Sequence, residues 1–471
     1  MELQKKTKIV CTIGPATESK EMLEKLVNAG MNVMRLNFSH GDFKEHQGRV
    51  DELRAVMEKT GKRVAIMQDL GGPKIRIGDF ANGLITLKEG QTFTLTTDKI
   101  VGDENRVSVN YPLLPKEVKV GGFILLHDGK KKLEITDIKG NDVICKVLVG
   151  GEIKSKRGVN LPGAYLSISS ITEKDRKDLE FGLKNKVDYI ALSFVRRPSD
   201  IIELREILAK AKSKAQIIAK IETPEALENI DEILDLTDAI MVARGDLAIE
   251  IPAEDVPLAQ KMLIQKCNEL GKPVITATQM LESMIKSPVP TRAEVSDVAN
   301  AIIDGTDAVM LSEETTLGDF PVEAVSVMTR VAKRIEKEFS SHHMMEEYEN
   351  KNGVTDAVSS AVVKAAVEVD AKFIVALTMS GFSARMIARY RPTQPILALT
   401  PNEKDANKMT LAYGCYPIVI EKFKDMTDVM GMVRQFALKH KLAAKGDRIV
   451  IALGLPFGKS IDTNTMIMEV I

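Results

Sequence analysis

The sequence predicts an α/β fold built on a closed (β/α)8 TIM-type barrel, and three observations carry that reading. Short apolar runs of strand length alternate with helical stretches about eight times between residues 8 and 338. Nearly every one of those strands is apolar along its length and chemically loaded at its C-terminal end. The alternation is broken once by an all-β insertion and restarts after a polar stretch as a second α/β unit. An open doubly wound sheet is the alternative, but it spreads strand ends along an edge, whereas a barrel converges them on one mouth.

Taken in order, the first strand is residues 8–14 (KIVCTIG). Thr17-Glu18-Ser19 opens a helix that Ala29-Gly30 closes. A strand at 32–39 leads to a helix over 42–59, ended by Thr60-Gly61, and then a strand at 64–70. After Gly71-Gly72-Pro73 the pattern changes to short alternating runs separated by turn residues, so residues 73–161 read as an inserted β unit. Its second hinge falls near Asn160-Leu161-Pro162-Gly163. Strands are expected again at 189–195, 216–222, 239–246, 273–279 and 308–314. Helices are expected at 172–185, 200–211, 257–270, 292–304 and 321–338, with one more between 222 and 239. The barrel is therefore assigned to 1–72 and 162–340. Residues 341–353 (SHHMMEEYENKNG) read as a linker, and 341–471 as a separate unit. In it, helices at 355–370, 383–391 and 427–440 alternate with strands at 373–378, 395–400, 416–420, 447–453 and 464–471.

The bulk properties narrow the function. A chain of 471 residues exceeds one ordinary domain. A net charge of −1 offers no general attraction for nucleic acid or anionic membrane, and the absence of Trp with 4% aromatic residues argues against base stacking. No apolar run is long enough to span a bilayer, and the N-terminal stretch has no signal core, so a cytoplasmic location is expected. Cys11, Cys145, Cys267 and Cys415 are far apart and read as buried free thiols.

The strand ends form a chemical inventory. Arg35, Asn37 and Ser39 recur at i, i+2, i+4 and share a strand face, a set that suits phosphate or a metal ion. Gln68-Asp69 ends the third strand, and Lys74 and Arg76 follow at the insertion hinge. Lys220 and Glu222 share a face, as do Arg244 and Asp246 at the end of the strand 239–246. Carboxylates surrounded by oxygen donors favour a hard cation such as Mg²⁺ or Mn²⁺; a structural Lys220–Glu222 ion pair is the plainer reading. Thr276 and Thr278 share a face, and Ser312 ends the eighth strand; hydroxyls there can relay protons, though as single residues they read more readily as strand-end caps. In the second unit, Thr378, Ser380, Gly381, Phe382 and Ser383 lie between a strand and a helix, where phosphate can bind or a plain cap can form. Residues 454–460 (GLPFGKS) are expected to face that loop.

The motifs CTIGPAT, MRLNFSHG, QDLGGPKIR, AKIE, MVARGDLAIEIP, ITATQMLESM, PTRAEVSDVANAIIDGTDAVMLSEET and TMSGFSAR together resemble pyruvate kinase, in that family's order and spacing from about residue 8 to the end. The resemblance implies a barrel, a small β-barrel lid inserted after its third strand, and a C-terminal effector domain. It implies glycolytic phosphoryl transfer from phosphoenolpyruvate to ADP, giving pyruvate and ATP in a homotetramer. By resemblance, Lys220 stabilises charge on the transferring phosphoryl group, and Glu222 and Asp246 hold the divalent ion. Arg35 contacts phosphoryl, and the backbone of Ala243, Arg244 and Gly245 meets the substrate carboxylate. Thr278 takes part in substrate binding and proton delivery, with Ser312 in the relay; Asn37, His40 and Arg76 lie toward the nucleotide.

Departures from the family pattern carry expectations of their own. Many members hold K⁺ with residues matching Asn37, Ser39, Asp69 and a following threonine, beside a glutamate at the position of Lys74. Here those two positions are Leu70 and Lys74; leucine offers no side-chain oxygen and lysine brings a fixed cation, so activity without K⁺ is expected. Glu313 and Ala248 stand where glycine is usual, and Leu317 where a small or basic residue is common. Strand geometry would turn Glu313 away from Ser312 and leave the chemistry unaffected. His127-Asp128-Gly129-Lys130 replaces Asp-Asp-Gly in the lid. The effector is expected to be a sugar monophosphate or AMP rather than fructose 1,6-bisphosphate, and the extra C-terminal domain of some bacterial members is expected to be absent. A Mg²⁺-dependent lyase or aldolase acting on a pyruvate enolate is the alternative enzyme, and an inactive sugar-phosphate sensor the alternative of another class.

Overall fold

The first and eighth barrel strands pair side by side, Lys8 opposite Ala308 and Cys11 opposite Leu311, and that contact closes the sheet. In this computed structural model, which describes residue 3 and residues 5–338, 353–421, 425–456 and 462–471, the closed cylinder has eight parallel strands. They are Lys8–Thr12, Val33–Asn37, Ala65–Asp69, Tyr189–Val195, Gln216–Ile221, Ala239–Ala243, Val274–Ala277 and Ala308–Leu311. The open-sheet alternative is thereby excluded. Val10, Val33, Met67, Tyr189, Ile218 and Met241 fill the cylinder, while a larger apolar layer lies between strands and helices.

The helices start where local chemistry places them. Ser19, Asp42 and Thr172 each accept a backbone N–H at a helix N-terminus, starting Lys20–Ala29, Phe43–Thr60 and Glu173–Asn185. Gly61 follows the second of these in the left-handed conformation, which glycine adopts without strain. The helix expected between residues 222 and 239 is two short ones, Pro224–Glu228 and Ile230–Leu236.

Several predicted strands are shorter than expected, and the differences that matter fall at their C-terminal ends. The sixth stops at Ala243, and Arg244–Glu250 is a helix. The seventh stops at Ala277, because Thr278 and Gln279 take left-handed φ of 69° and 56°. The eighth stops at Leu311, and Glu313–Thr316 is a helical turn. Ser39 lies in a turn beyond the second strand, which ends at Asn37. Period-2 face sharing therefore fails for Arg244 with Asp246, Thr276 with Thr278, and Asn37 with Ser39.

Between the third and fourth barrel strands, a six-stranded sheet and a two-stranded sheet enclose one apolar core. The C-terminal unit is a five-stranded sheet whose last strand, Thr465–Val470, pairs antiparallel with Arg448–Leu453. It packs under the N-terminal end of the barrel. Leu411 enters the barrel's interior cluster, and Arg391 pairs with Asp307 at 3.0 Å with both side chains buried. All four cysteines are buried and unpaired, as expected. Residues 341–352 of the expected linker and 457–460 of the GLPFGKS loop lie outside the described residues.

Candidate active site

Asp69 is the hub of the barrel mouth. It ends the third strand, is 1% exposed, and accepts from Arg35 Nε at 2.6 Å. Lys220 Nζ lies 3.3 Å from its other oxygen. Register puts Asn37 opposite Asp69 and Arg35 opposite Met67, so Arg35 starts two residues below the carboxylate and its long side chain reaches up to it. Lys220 Nζ also donates to Ser193 Oγ at 2.6 Å and lies 2.9 Å from Glu222 Oε1. The other Glu222 oxygen accepts from Phe194 N at 2.7 Å.

These contacts set the charges. Burial pushes Asp69 up, but Lys220 and Arg35 outweigh it and hold the carboxyl below its ordinary range. Burial pulls the Lys220 ammonium down, but Asp69 and Glu222 reverse the effect and raise it. Glu222 is pushed up to about 7, by burial first; Lys220 pulls it down and the Asp246 charge pushes it up again. Two carboxylates that repel across a site of oxygen donors are what a hard divalent cation relieves, so Glu222 and Asp246 fit such an ion. Among the described residues no group of three or more His, Cys, Asp and Glu side chains gathers, so further ligands would come from substrate or water.

The end of the seventh strand is held under strain. Thr278 at φ 69° is a β-branched residue in left-handed backbone, which persists only where surroundings over-determine it. Arg244 supplies that restraint by donating to Thr278 O at 2.8 Å. Its guanidinium also grips Asp297 through both oxygens, at 2.6 and 2.7 Å, so it is a strut behind the mouth rather than a group pointing into it. Thr278 Oγ1 accepts from Gly245 N at 2.7 Å and donates to Ala277 O at 2.6 Å. Thr276 is buried and bonded to Thr306 Oγ1 at 3.0 Å, away from Thr278. Ser312 N donates to buried Glu314, whose other oxygen takes Leu281 N at 3.1 Å.

A cleft of about 530 Å³ separates the mouth from the inserted sheets. His40, Lys74, Arg76, Asp246 and Glu313 line it. The helical turn after the eighth strand brings Glu313 to this wall, which corrects the expectation that it points away. Burial, then Lys74, Arg76 and Arg35, lower the His40 imidazole, while Glu313 raises it. Lys74 is lowered by burial and by Lys220 and Arg76, against Asp246 and Glu222. Ser39 N donates to Asn37 Oδ1 at 3.1 Å.

Sequence reasoning missed Ser193, Asp297, Glu314, Asn160 and Glu250. Ser193 could have been found from its place near the C-terminal end of a barrel strand; Asp297 and Glu250 sit mid-helix and at a helix end, with no local signal. In the C-terminal unit, Thr378 Oγ1 accepts from Gly381 N at 2.9 Å, and Ser383 Oγ accepts from Thr463 Oγ1 at 2.6 Å. Ser380 Oγ takes Phe382 N at 3.4 Å.

Cations and carboxylates interlocked at the C-terminal mouth, under a second unit that roofs a cleft, place the chain among barrel enzymes that act on anionic substrates. Two family models match: pyruvate kinase, barrel domain, over residues 4–325, and pyruvate kinase, alpha/beta domain, over residues 356–468. Pyruvate kinase of Geobacillus stearothermophilus is 48% identical over 100% of this chain and 81% of its own length. That of Staphylococcus aureus is 47% identical over 98% of this chain and 80% of its own. The crystal structure of a pyruvate kinase from Cryptosporidium parvum superposes with a TM-score of 0.95 at 40% identity, covering 99% of this chain and 96% of that one. The chain belongs to the pyruvate kinase family and is a phosphotransferase.

Proposed function

We propose that the cleft transfers a phosphoryl group from phosphoenolpyruvate to ADP, giving pyruvate and ATP, with the residues above in defined roles. The observation that carries this reading is the Lys220 ammonium, kept charged by Asp69 and Glu222 at the barrel mouth. Lys220 and Arg35 neutralise charge on the moving phosphoryl group, held in place by Asp69. Glu222 and Asp246 would hold Mg²⁺ or Mn²⁺, which supplies Lewis-acid stabilisation of substrate oxygens when bound. Gly245 N–H meets the substrate carboxylate, exchanging its bond to Thr278 Oγ1. The Thr278 hydroxyl, whose proton is given to Ala277 O, turns from that acceptor to pass the proton toward the enolpyruvate carbon, with Ser312 as a further hydroxyl of the relay. Arg76 and His40, which line the cleft, face the nucleotide, with Asn37 at the end of the second strand behind them. Residues 73–161 act as a lid that excludes water, the competing phosphoryl acceptor.

Lys74 supplies the monovalent charge in place of K⁺; its electrostatic coupling to Asp246, Glu222 and Lys220 supports that role. The C-terminal unit, from residue 341, takes a phosphorylated effector at Thr378, Ser380, Gly381, Phe382 and Ser383, with a sugar monophosphate or AMP favoured. Because Thr378 and Ser383 already bond within the protein, binding there requires exchange of those bonds. The enzyme is a cytoplasmic homotetramer in this reading. Formation of pyruvate from phosphoenolpyruvate that depends on ADP tests the reaction; no pyruvate from phosphoenolpyruvate, together with carbon–carbon cleavage of a pyruvate aldol, would point to a lyase instead.

A further inference from the structure

The inserted unit touches the helix Arg244–Glu250 at two places. At the returning hinge, Asn160 Nδ2 donates to Glu250 Oε1 at 2.8 Å. At the tip, His127, Asp128 and Gly129 all take left-handed backbone, and a Cβ on Gly129 would lie 3.8 Å from Ile249 Cγ2. His127 N bonds back to Gly158 O at 3.1 Å, so tip and hinge are tied to each other.

The same helix carries the cleft's chemistry. Glu250 follows Asp246 by four residues, which puts the two carboxylates on one face, and both line the cleft. Its other end is anchored to the strained end of the seventh strand by Arg244 donating to Thr278 O at 2.8 Å and by the Gly245 N to Thr278 Oγ1 bond, and to the helix Arg292–Ile303 by the Arg244–Asp297 pair. A helix of seven residues is too short to flex between its ends, so a pull at Glu250 is felt at Asp246. Glu250 is partly buried, and burial pushes its carboxyl up against the bond from Asn160.

We propose that Asn160 and Glu250 are positioning residues whose hydrogen bond seats the inserted unit on the Asp246 helix and so sets the pose of Asp246 and Gly245. This rests on the roles given to those two residues above. A hydrogen bond to a charged group contributes enough that its loss is read as a roughly ten-fold effect.

The test compares Asn160→Ala, Glu250→Ala, Glu250→Gln and the Ala/Ala double variant. Measured are kcat and KM for both substrates, the thermal midpoint, and amide hydrogen exchange across residues 159–163 in ligand-free enzyme. Asn160→Ala and Glu250→Ala should each lower kcat/KM for phosphoenolpyruvate about ten-fold and speed exchange by a similar factor, with little change in thermal midpoint. The double variant should be no worse than either single one. Glu250→Gln keeps the accepting oxygen and should stay within about two-fold of wild type. Additive single effects, unchanged exchange, or a Glu250→Gln variant as impaired as Glu250→Ala would each overturn the proposal. A wild type without turnover would overturn the functional reading instead, while the exchange measurement still decides whether the latch exists.

Discussion

Asp69→Asn separates the charge of the hub from its shape. The side chain keeps its size, so packing at a 1% exposed site is little disturbed, but two buried cations lose their shared anion. At 3.3 Å, with an effective dielectric near 20, the Asp69–Lys220 attraction is ~5 kcal/mol. Divided by about 1.36 kcal/mol per pH unit, that is a downward pull on the ammonium of roughly 3–4 units. The amide dipole and local relaxation return part of it, leaving roughly 2 units. The sign follows from the balance at Lys220: burial lowers the ammonium, and Asp69 and Glu222 now reverse that. Without Asp69, burial gains. Since Lys220 must be charged to hold the phosphoryl group, the alkaline limb of kcat/KM should move about 2 units toward acid. Arg35 keeps its bond to Thr12 Oγ1 at 2.9 Å but exchanges a carboxylate acceptor for a neutral amide oxygen at best, so turnover should also fall about ten-fold or more at every pH. Pyruvate formation followed from pH 6 to about 11.5, with folded fraction checked at each point, reads both effects, because the raised wild-type Lys220 limb lies above that range and the variant's limb enters it. An alkaline limb in the wild-type position, with turnover within two-fold, would refute the idea that Asp69 sets the charge of Lys220.

Three further outcomes follow from the same geometry. Turnover should be equal in Na⁺, K⁺ or a bulky organic cation, and Lys74→Glu should create a K⁺ requirement; strong stimulation of the wild type by K⁺ alone would sink that assignment. Asp307→Ala should destabilise by about 3–5 kcal/mol in denaturant unfolding, because it leaves the Arg391 guanidinium buried and strips acceptors from Tyr413 N and Val274 N. Asp307 lies just before the eighth strand, at the end of the barrel opposite the mouth, so folded Asp307→Ala enzyme should keep near-normal turnover. Lys5 is lowered to about 7, by burial first and then by Lys8, so between about 7 and 10.5 the unfolded chain binds more protons than the folded one. Its contribution is full above 10.5 and lost as pH falls through about 7, a swing on the order of 3–5 kcal/mol. Thermal midpoints of wild type should therefore rise with pH more steeply than those of Lys5→Met, and parallel slopes would refute it.

Local chemistry was enough for the elements. Ser19, Asp42 and Thr172 cap helices because a short oxygen-bearing side chain satisfies a free N–H two or three residues on, an interaction complete within four residues. The barrel strands were visible because both their faces are buried, which leaves uninterrupted apolar runs. Where strands stop was not visible: Thr278 leaves extended backbone only because Arg244 and Gly245, some thirty residues earlier, hold it there. The error at Arg244 had the same source, since its partner Asp297 is 53 residues away.

What the sequence by itself determined is the order of strands and helices, the interruption by a β unit, and the family. Each of those depends on neighbours in the chain or on motifs read whole. Only the tertiary structure decided which charges meet. Asp69 binds Arg35 and Lys220 from strands 34 and 151 residues distant in the chain, and Asn160 reaches Glu250 across the cleft. Glu313 turned to the cleft wall when its strand ended early. Electrostatic energy depends on separation in space and on exclusion of water, and neither is written in the spacing of residues along a chain.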